Sequence, residues 1–256
     1  MLRALEPIWR RIPETAARVR GRIEKVLDYA AVRNLRASEN PARWKGHLEH
    51  ILPRRSTIAI KHHAALPYAE LPRFMAELRQ RDGVAARALE FAILTAARTG
   101  EVLHATWDEV KDGIWEIPAG RMKAAKPHRV PLSSQVVALL KALLRADGNP
   151  HVFIGQARAS PISPSVLRKV LERMGRADIT AHGFRSSFAD WVSERTSFPD
   201  RVREAALAHV VGSKTTRAYA RSDLIEERVK LMQAWADFCY GPAATGEVVP
   251  MRKVRP

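Results

Sequence analysis

The stretch "ITAHGFRSSFADW" carries His182 and Arg185 three residues apart at the head of a predicted helix. Free backbone N–H groups and the positive end of the helix dipole collect there and favour an anion. A guanidinium adds a planar fork suited to two phosphate oxygens. The same pair also fits a capping histidine and a solvated arginine, so other residues must decide. Arg98 closes the most apolar helical stretch, in "AILTAARTGEVL", where Thr99-Gly100 breaks the pattern. It is either an ordinary helix-terminal arginine or one held at a site by Glu101. Arg121, Lys123 and Lys126 lie in a loop between two predicted strands. Most loop lysines are solvated, but one desolvated beside other cations loses its proton more readily and can protonate a departing alkoxide. His209 sits at the end of an alanine-rich helix closed by Gly212, and Tyr219 follows in "AYARSD". A phenol can attack phosphorus once a neighbour takes its proton. Two arginines, two histidines, a lysine and a tyrosine are what phosphodiester transesterification without a metal needs.

The elements that must position these groups are mainly helical. In "IPETAARVRGRIEKVLDYAAVRNL", Ala16, Val19, Ile23, Val26, Leu27 and Ala30 recur at helical spacing, and "WKGHLEHIL" is long enough for a short second helix. The basic segment "PRRSTIAIKHHAALP" has prolines at both ends and no period, which marks a linker. Beyond it, "ELPRFMAELRQ" and "VAARALEFAILTAAR" read as helices. Then "HATWDEV", "GIWEIP" and "HRVPLS" suggest a small antiparallel sheet with an Asp-Gly turn. Helices return with "SQVVALLKALLR", "SPSVLRKVLERMG", "HGFRSSFADWVSER", "DRVREAALAHVVG" and "DLIEERVKLMQAWADF", the last ended by Gly241-Pro242. Phe184, Phe188, Trp191 and Val192 form the apolar stripe of the helix that carries Arg185. The expected fold class is mainly α with a small antiparallel β-sheet (α+β).

Bulk properties narrow the partner. Lys and Arg number 43 against 27 Asp and Glu, a formal charge of +16. Such an excess favours a polyanion, nucleic acid before an anionic membrane, because the basic residues are spread along the whole chain. The single cysteine, Cys239, excludes an internal disulfide and a multi-cysteine zinc site and fits a reducing cytoplasm. No stretch approaches the roughly 20 apolar residues of a membrane span, and the N-terminus lacks the apolar block of a secretion signal.

Arg98 in "TAARTGE", Lys123 after "WEIPAGRMK", His182 and Arg185 in "HGFR", His209 in "ALAH" and Tyr219 in "AYARSD" resemble the tyrosine recombinases, or phage-type integrases. Wording such as "ERMGRADITAHGFRSSFADW" is similar to the branch found in prophages and genomic islands, from near residue 5 to about 240. The resemblance implies a recombinase catalytic-domain fold over residues 67–241, preceded by a partial helical core-binding domain (1–55) and a linker (56–66), and followed by a basic tail (242–256). It implies that Arg98 and Arg185, aided by His209, grip the scissile phosphate while Tyr219 attacks it to leave a 3′-phosphotyrosine. Lys123 would protonate the leaving 5′-oxygen, His182 would assist proton transfer, and Glu101 would be the acidic companion. Ala97 departs from the glycine that relatives often have there. Neither metal nor other cofactor is implied. The implied partners are double-stranded attachment-site DNA, three further copies in a homotetramer, and a directionality factor or DNA-bending host protein. By the same resemblance the chain starts inside the core-binding domain and lacks an arm-type DNA-binding domain. That leaves two other readings to test: a non-recombining DNA-binding remnant and a type IB topoisomerase.

Overall fold

The computed structural model describes residues 1–37, 39–53, 64–122, 124–157, 159–209 and 223–242. Lys123, Tyr219, most of the expected linker and nearly all of the tail lie outside the described residues. The chain divides into two compact units, residues 1–62 and 63–256.

The first unit is built on α1 (Leu2–Trp9) and α2 (Pro13–Val32). Pro13 opens α2, where a missing N–H costs nothing. Leu5, Trp9, Ala16, Leu48 and Leu52 make its core, and Trp9 stacks on Trp44 with ring centroids 5.6 Å apart. One expectation fails here, and one helix face is more open than its spacing alone reveals. "WKGHLEHIL" forms only a single 3-10 turn, Leu48–His50, in place of a helix. The apolar stripe of α2 is also not buried: only Ala16 is, and Val26 is 66% exposed. Helical spacing fixes which residues share a face, but burial needs a partner. Among the described residues, α1 covers α2 and no further helix of this unit does.

In the second unit, α3 (Leu71–Arg79) and α4 (Val84–Thr95) precede the short α5 (Thr99–Leu103). From Ala88 to Thr95 every residue of α4 is buried, Glu90 included, whose carboxylate pairs with Arg87 at 2.6 Å. It is the central rod of this unit, packed by α3, α6 (Ser134–Ala142), α7 (Val166–Arg173) and α10 (Ile225–Tyr240). Three strands, β1 (Val110–Lys111), β2 (Ile114–Ile117) and β3 (His128–Pro131), form an antiparallel sheet in sequence order. Asp112 and Gly113 both take positive φ, 50° and 74°, in the tight turn between β1 and β2. That is the geometry an Asp-Gly hairpin provides. Within "HATWDEV", Trp107–Glu109 forms a 3-10 turn and only Val110 reaches the sheet, as the first residue of β1. The mainly α architecture with a small antiparallel sheet is as expected.

Helix α8 (Gly183–Arg195) buries Phe184, Phe188, Trp191 and Val192. Phe188 and Trp191 meet Trp235 of α10 at centroid distances of 5.2 and 5.1 Å. Helix α9 (Asp200–Ala206) stops earlier than its sequence suggests, before His209. No helix among the described residues is long and apolar enough to cross a membrane.

Candidate active site

Helix α4 ends in Ala96, a left-handed residue at φ 48°. This turn sends the chain back on itself and leaves Arg98 extended, as the N-cap of α5. Thr99-Gly100 therefore starts a helix where the pattern had suggested only a break. Glu101 closes the cap twice: Oε2 accepts from the Arg98 backbone N–H at 2.8 Å and Oε1 from its Nη1 at 2.8 Å. Glu101 is 6% exposed, so the carboxylate fixes the guanidinium from the protein side.

Arg185 reaches the same place from α8. Gly183 lets the helix start there, because a Cβ at that residue would lie 2.3 Å from the Ala64 carbonyl oxygen. Arg185 is 6% exposed, far from the solvated side chain that its polar neighbours allowed. It donates from Nη1 to the Ala96 carbonyl and from Nη2 to that of Leu207 at 2.7 Å. Arg98 Nη2 points at the carbonyls of Leu207 and Ala208, at 3.5 and 3.3 Å. Burial and then Arg98 push the Arg185 guanidinium down to about 10, while Glu101 opposes the shift. Arg185 still stays charged at neutral pH, and two guanidinium groups sharing one carboxylate leave a surplus that suits an anion.

The carbonyl row comes from the end of α9. Ala208 is left-handed (φ 48°), the His209 N–H bonds to Glu204 C=O at 3.0 Å, and the Ala208 N–H bonds to Ala205 C=O at 3.2 Å. This is a Schellman ending, which brings the residue after the left-handed turn back over the residue that starts the last helical turn. His209 Nδ1 accordingly lies 2.8 Å from Glu204 Oε2, and its Nε2 lies 3.5 Å from Arg185 Nη2. Burial raises the Glu204 pKa, but bonds from His209 and Arg203 outweigh it and the net shift is downward. The carboxylate thus holds the Nδ1 side of the imidazole and leaves Nε2 turned toward Arg185. His182 is exposed, as the N-cap of α8, and its carbonyl accepts from the Arg185 backbone N–H at 3.1 Å.

The structure therefore brings together Arg98, Glu101, Arg185 and His209, with His182 on the first turn of the same helix as Arg185. Two further side chains were missed from the sequence. Glu204 could have been found by pairing a left-handed helix ending with the glutamate five positions before His209. His128 opens β3 and gave no signal beyond its place in a strand. It feels both Arg98 and Arg185 electrostatically.

A mainly helical domain with a three-stranded sheet and two arginines converging beside a histidine defines a class, and comparison names it. The chain belongs to the phage integrase family, whose model matches residues 65–225; the phage integrase central domain matches residues 1–47. It is 33% identical over 243 residues to the prophage integrase IntZ of Escherichia coli (strain K12), covering 93% of this chain and 58% of that protein. It is 31% identical over 248 residues to the integrase of Enterobacteria phage P4, covering 88% and 55%. The chain thus spans a little over half the length of these curated relatives. Its fold resembles a lambda integrase tetramer bound to a Holliday junction, with TM-score 0.55 and 16% identity over 82% of this chain and 60% of that one. It also resembles the integrase of mycobacterium phage Brujita, with TM-score 0.51 and 15% identity over 88% and 75%.

Proposed function

We propose that this chain is a site-specific DNA recombinase that integrates or excises a prophage or genomic island, working where the bacterial chromosome is, in the cytoplasm. The observation that carries the reading is the convergence of Arg98 and Arg185 on the Leu207 carbonyl with His209 beside them. That cluster is a rigid, cation-rich seat for a phosphodiester oxyanion. The Tyr219 oxygen attacks phosphorus, the P–O5′ bond breaks, and a 3′-phosphotyrosine remains. Lys123 gives its proton to the departing 5′-oxygen, and His182 assists removal of the Tyr219 proton. Attack by the 5′-hydroxyl of the exchanged strand reverses the step. The bond energy stays in the phosphotyrosine, so neither ATP nor a metal is required. By analogy with its relatives, the working unit is a homotetramer on double-stranded attachment-site DNA, with a directionality factor or DNA-bending protein as further partners.

Nicked attachment-site DNA that traps the intermediate tests the reading. The expected result is a covalent protein–DNA adduct with the native chain and none with Tyr219→Phe, at unchanged DNA affinity. Tight binding without an adduct would instead identify a non-recombining remnant. Relaxation of supercoils lacking an attachment site would identify a type IB topoisomerase. No observation favours either one.

A further inference from the structure

The chain between His209 and Asp223 contains Tyr219. Its upstream end is the carbonyl row of α9, and its downstream end is the start of α10. Both ends are touched by one strand. The His128 ring faces the Ala206 backbone upstream, whose carbonyl favours the protonated ring. Its Nε2 lies 3.5 Å from Nη2 of Arg228, which belongs to α10. Arg228 is 2% exposed and donates to the carbonyls of Arg129 and Asp223, the latter at 3.3 Å from Nη1. On the outer side, Arg129 pairs with Asp223 at 3.1 Å.

We propose that His128 is a positioning residue for the recombination step, a clasp on β3 that joins the end of α9 to the start of α10, the two described ends between which Tyr219 lies in the sequence. The inference rests on the proposed function for its catalytic consequence only; the clasp itself is a matter of structure. Facing a guanidinium N–H, Nε2 must accept, which places the ring proton on Nδ1 for the Ala206 carbonyl. Such a ring has to be neutral. Burial first, then Arg228, Arg98 and Arg185 hold its pKa down to about 4, against the opposing Ala206 carbonyl. A neutral imidazole is also suited to this place because a cation would add a fourth positive charge to Arg98, Arg185 and Arg228.

Two readouts on the full chain separate the parts of this inference. Hydrogen exchange of peptides covering 203–209 and 223–229 needs no catalysis. His128→Ala should speed exchange at both ends, while His128→Asn, which keeps a donor at the Nδ1 position, should restore protection at 203–209. Asp223→Asn should loosen 223–229 alone. Adduct formation on saturating nicked DNA should then slow by about tenfold to a hundredfold in His128→Ala, the scale of a misplaced reacting group. DNA affinity should stay within about twofold of the native value, and His128→Asn should regain most of the rate. Faster exchange at neither end or at only one end in His128→Ala would overturn the clasp, as would an Asn variant no better protected than Ala. If the native chain forms no adduct, the proposed function fails while the exchange result still judges the clasp.

Discussion

Arg98 and Arg185 aim the same nitrogen, Nη2, at the same acceptor, the Leu207 carbonyl, at 3.5 and 2.7 Å. One guanidinium is fixed by the start of α5 and the other by the first turn of α8, so their spacing is set by packed helices and not by flexible stems. The two are not equivalent. Arg98 is partly exposed and held by Glu101, whereas Arg185 is buried and held by two backbone carbonyls.

Arg185→Ala should therefore fail twice. Removing one preorganised donor should slow adduct formation by roughly 10²–10³. Stranding the Ala96 carbonyl, and leaving that of Leu207 with only the long Arg98 contact, should also destabilise the fold by about 1–3 kcal/mol. Arg98→Ala should show the first effect with a smaller second one. Adduct rates alongside thermal melting of both variants would check this, and equal melting losses would mean the burial difference has no energetic weight.

Glu204→Gln keeps a hydrogen-bond acceptor for His209 but loses the charge, while Glu204→Ala loses both. If the carboxylate sets the histidine for the site, cleavage should fall modestly in Gln and by about tenfold or more in Ala, with little change in DNA affinity. A rate in Glu204→Ala matching the native chain would show that the 2.8 Å contact serves only the helix ending.

Periodicity made much of this fold legible. The largely apolar run of α4 and the Phe184, Phe188, Trp191, Val192 stripe of α8 are local patterns with one physical solution, and both are buried. The Asp112-Gly113 turn carries its own backbone preference. What escaped depends on facts that no window of sequence contains. Ala96 and Ala208 are left-handed without being glycine, a conformation imposed by packing, and they create the acceptors for the arginines. The burial of Arg185 and the place of His128 between α9 and α10 depend on contacts between distant helices and strands. The stripe of α2 was legible as a helix face but not as an exposed one.

Gly183→Ala should be costly although the residue starts a helix, where alanine is normally preferred. The new Cβ would meet the Ala64 carbonyl oxygen at 2.3 Å and the Ala65 Cα at 2.8 Å, both backbone atoms. Relief requires either the start of α8 or residues 64–66 to move, which would shift Arg185. Overpacking of this kind costs about 1–3 kcal/mol. A lower melting temperature with slower adduct formation is expected, and an unchanged melt would show that the approach of these chains is loose.

Acid should weaken this protein through His128. The imidazole titrates at 6.5 in a free chain and at about 4 here, so between those values the unfolded state binds more protons than the folded one. Stability from the neutral ring is complete above about pH 6.5, declines as the pH falls, and is lost by about pH 4, a loss of about 3 kcal/mol at most. The charged groups facing the ring are Arg228 from α10, Arg98 ahead of α5 and Arg185 from α8; Arg228 and Arg185, lowered only to about 10, remain cations throughout this window. Asp223 and Glu101 are the nearby carboxylates, paired with Arg129 and Arg98 respectively. His151 is also shifted downward, chiefly by burial, but it contributes equally to the native chain and to His128→Asn. Urea unfolding of these two proteins between pH 4 and 7 isolates the His128 share: the native chain should lose stability more steeply, and parallel curves would mean that its imidazole is not the acid-sensitive group.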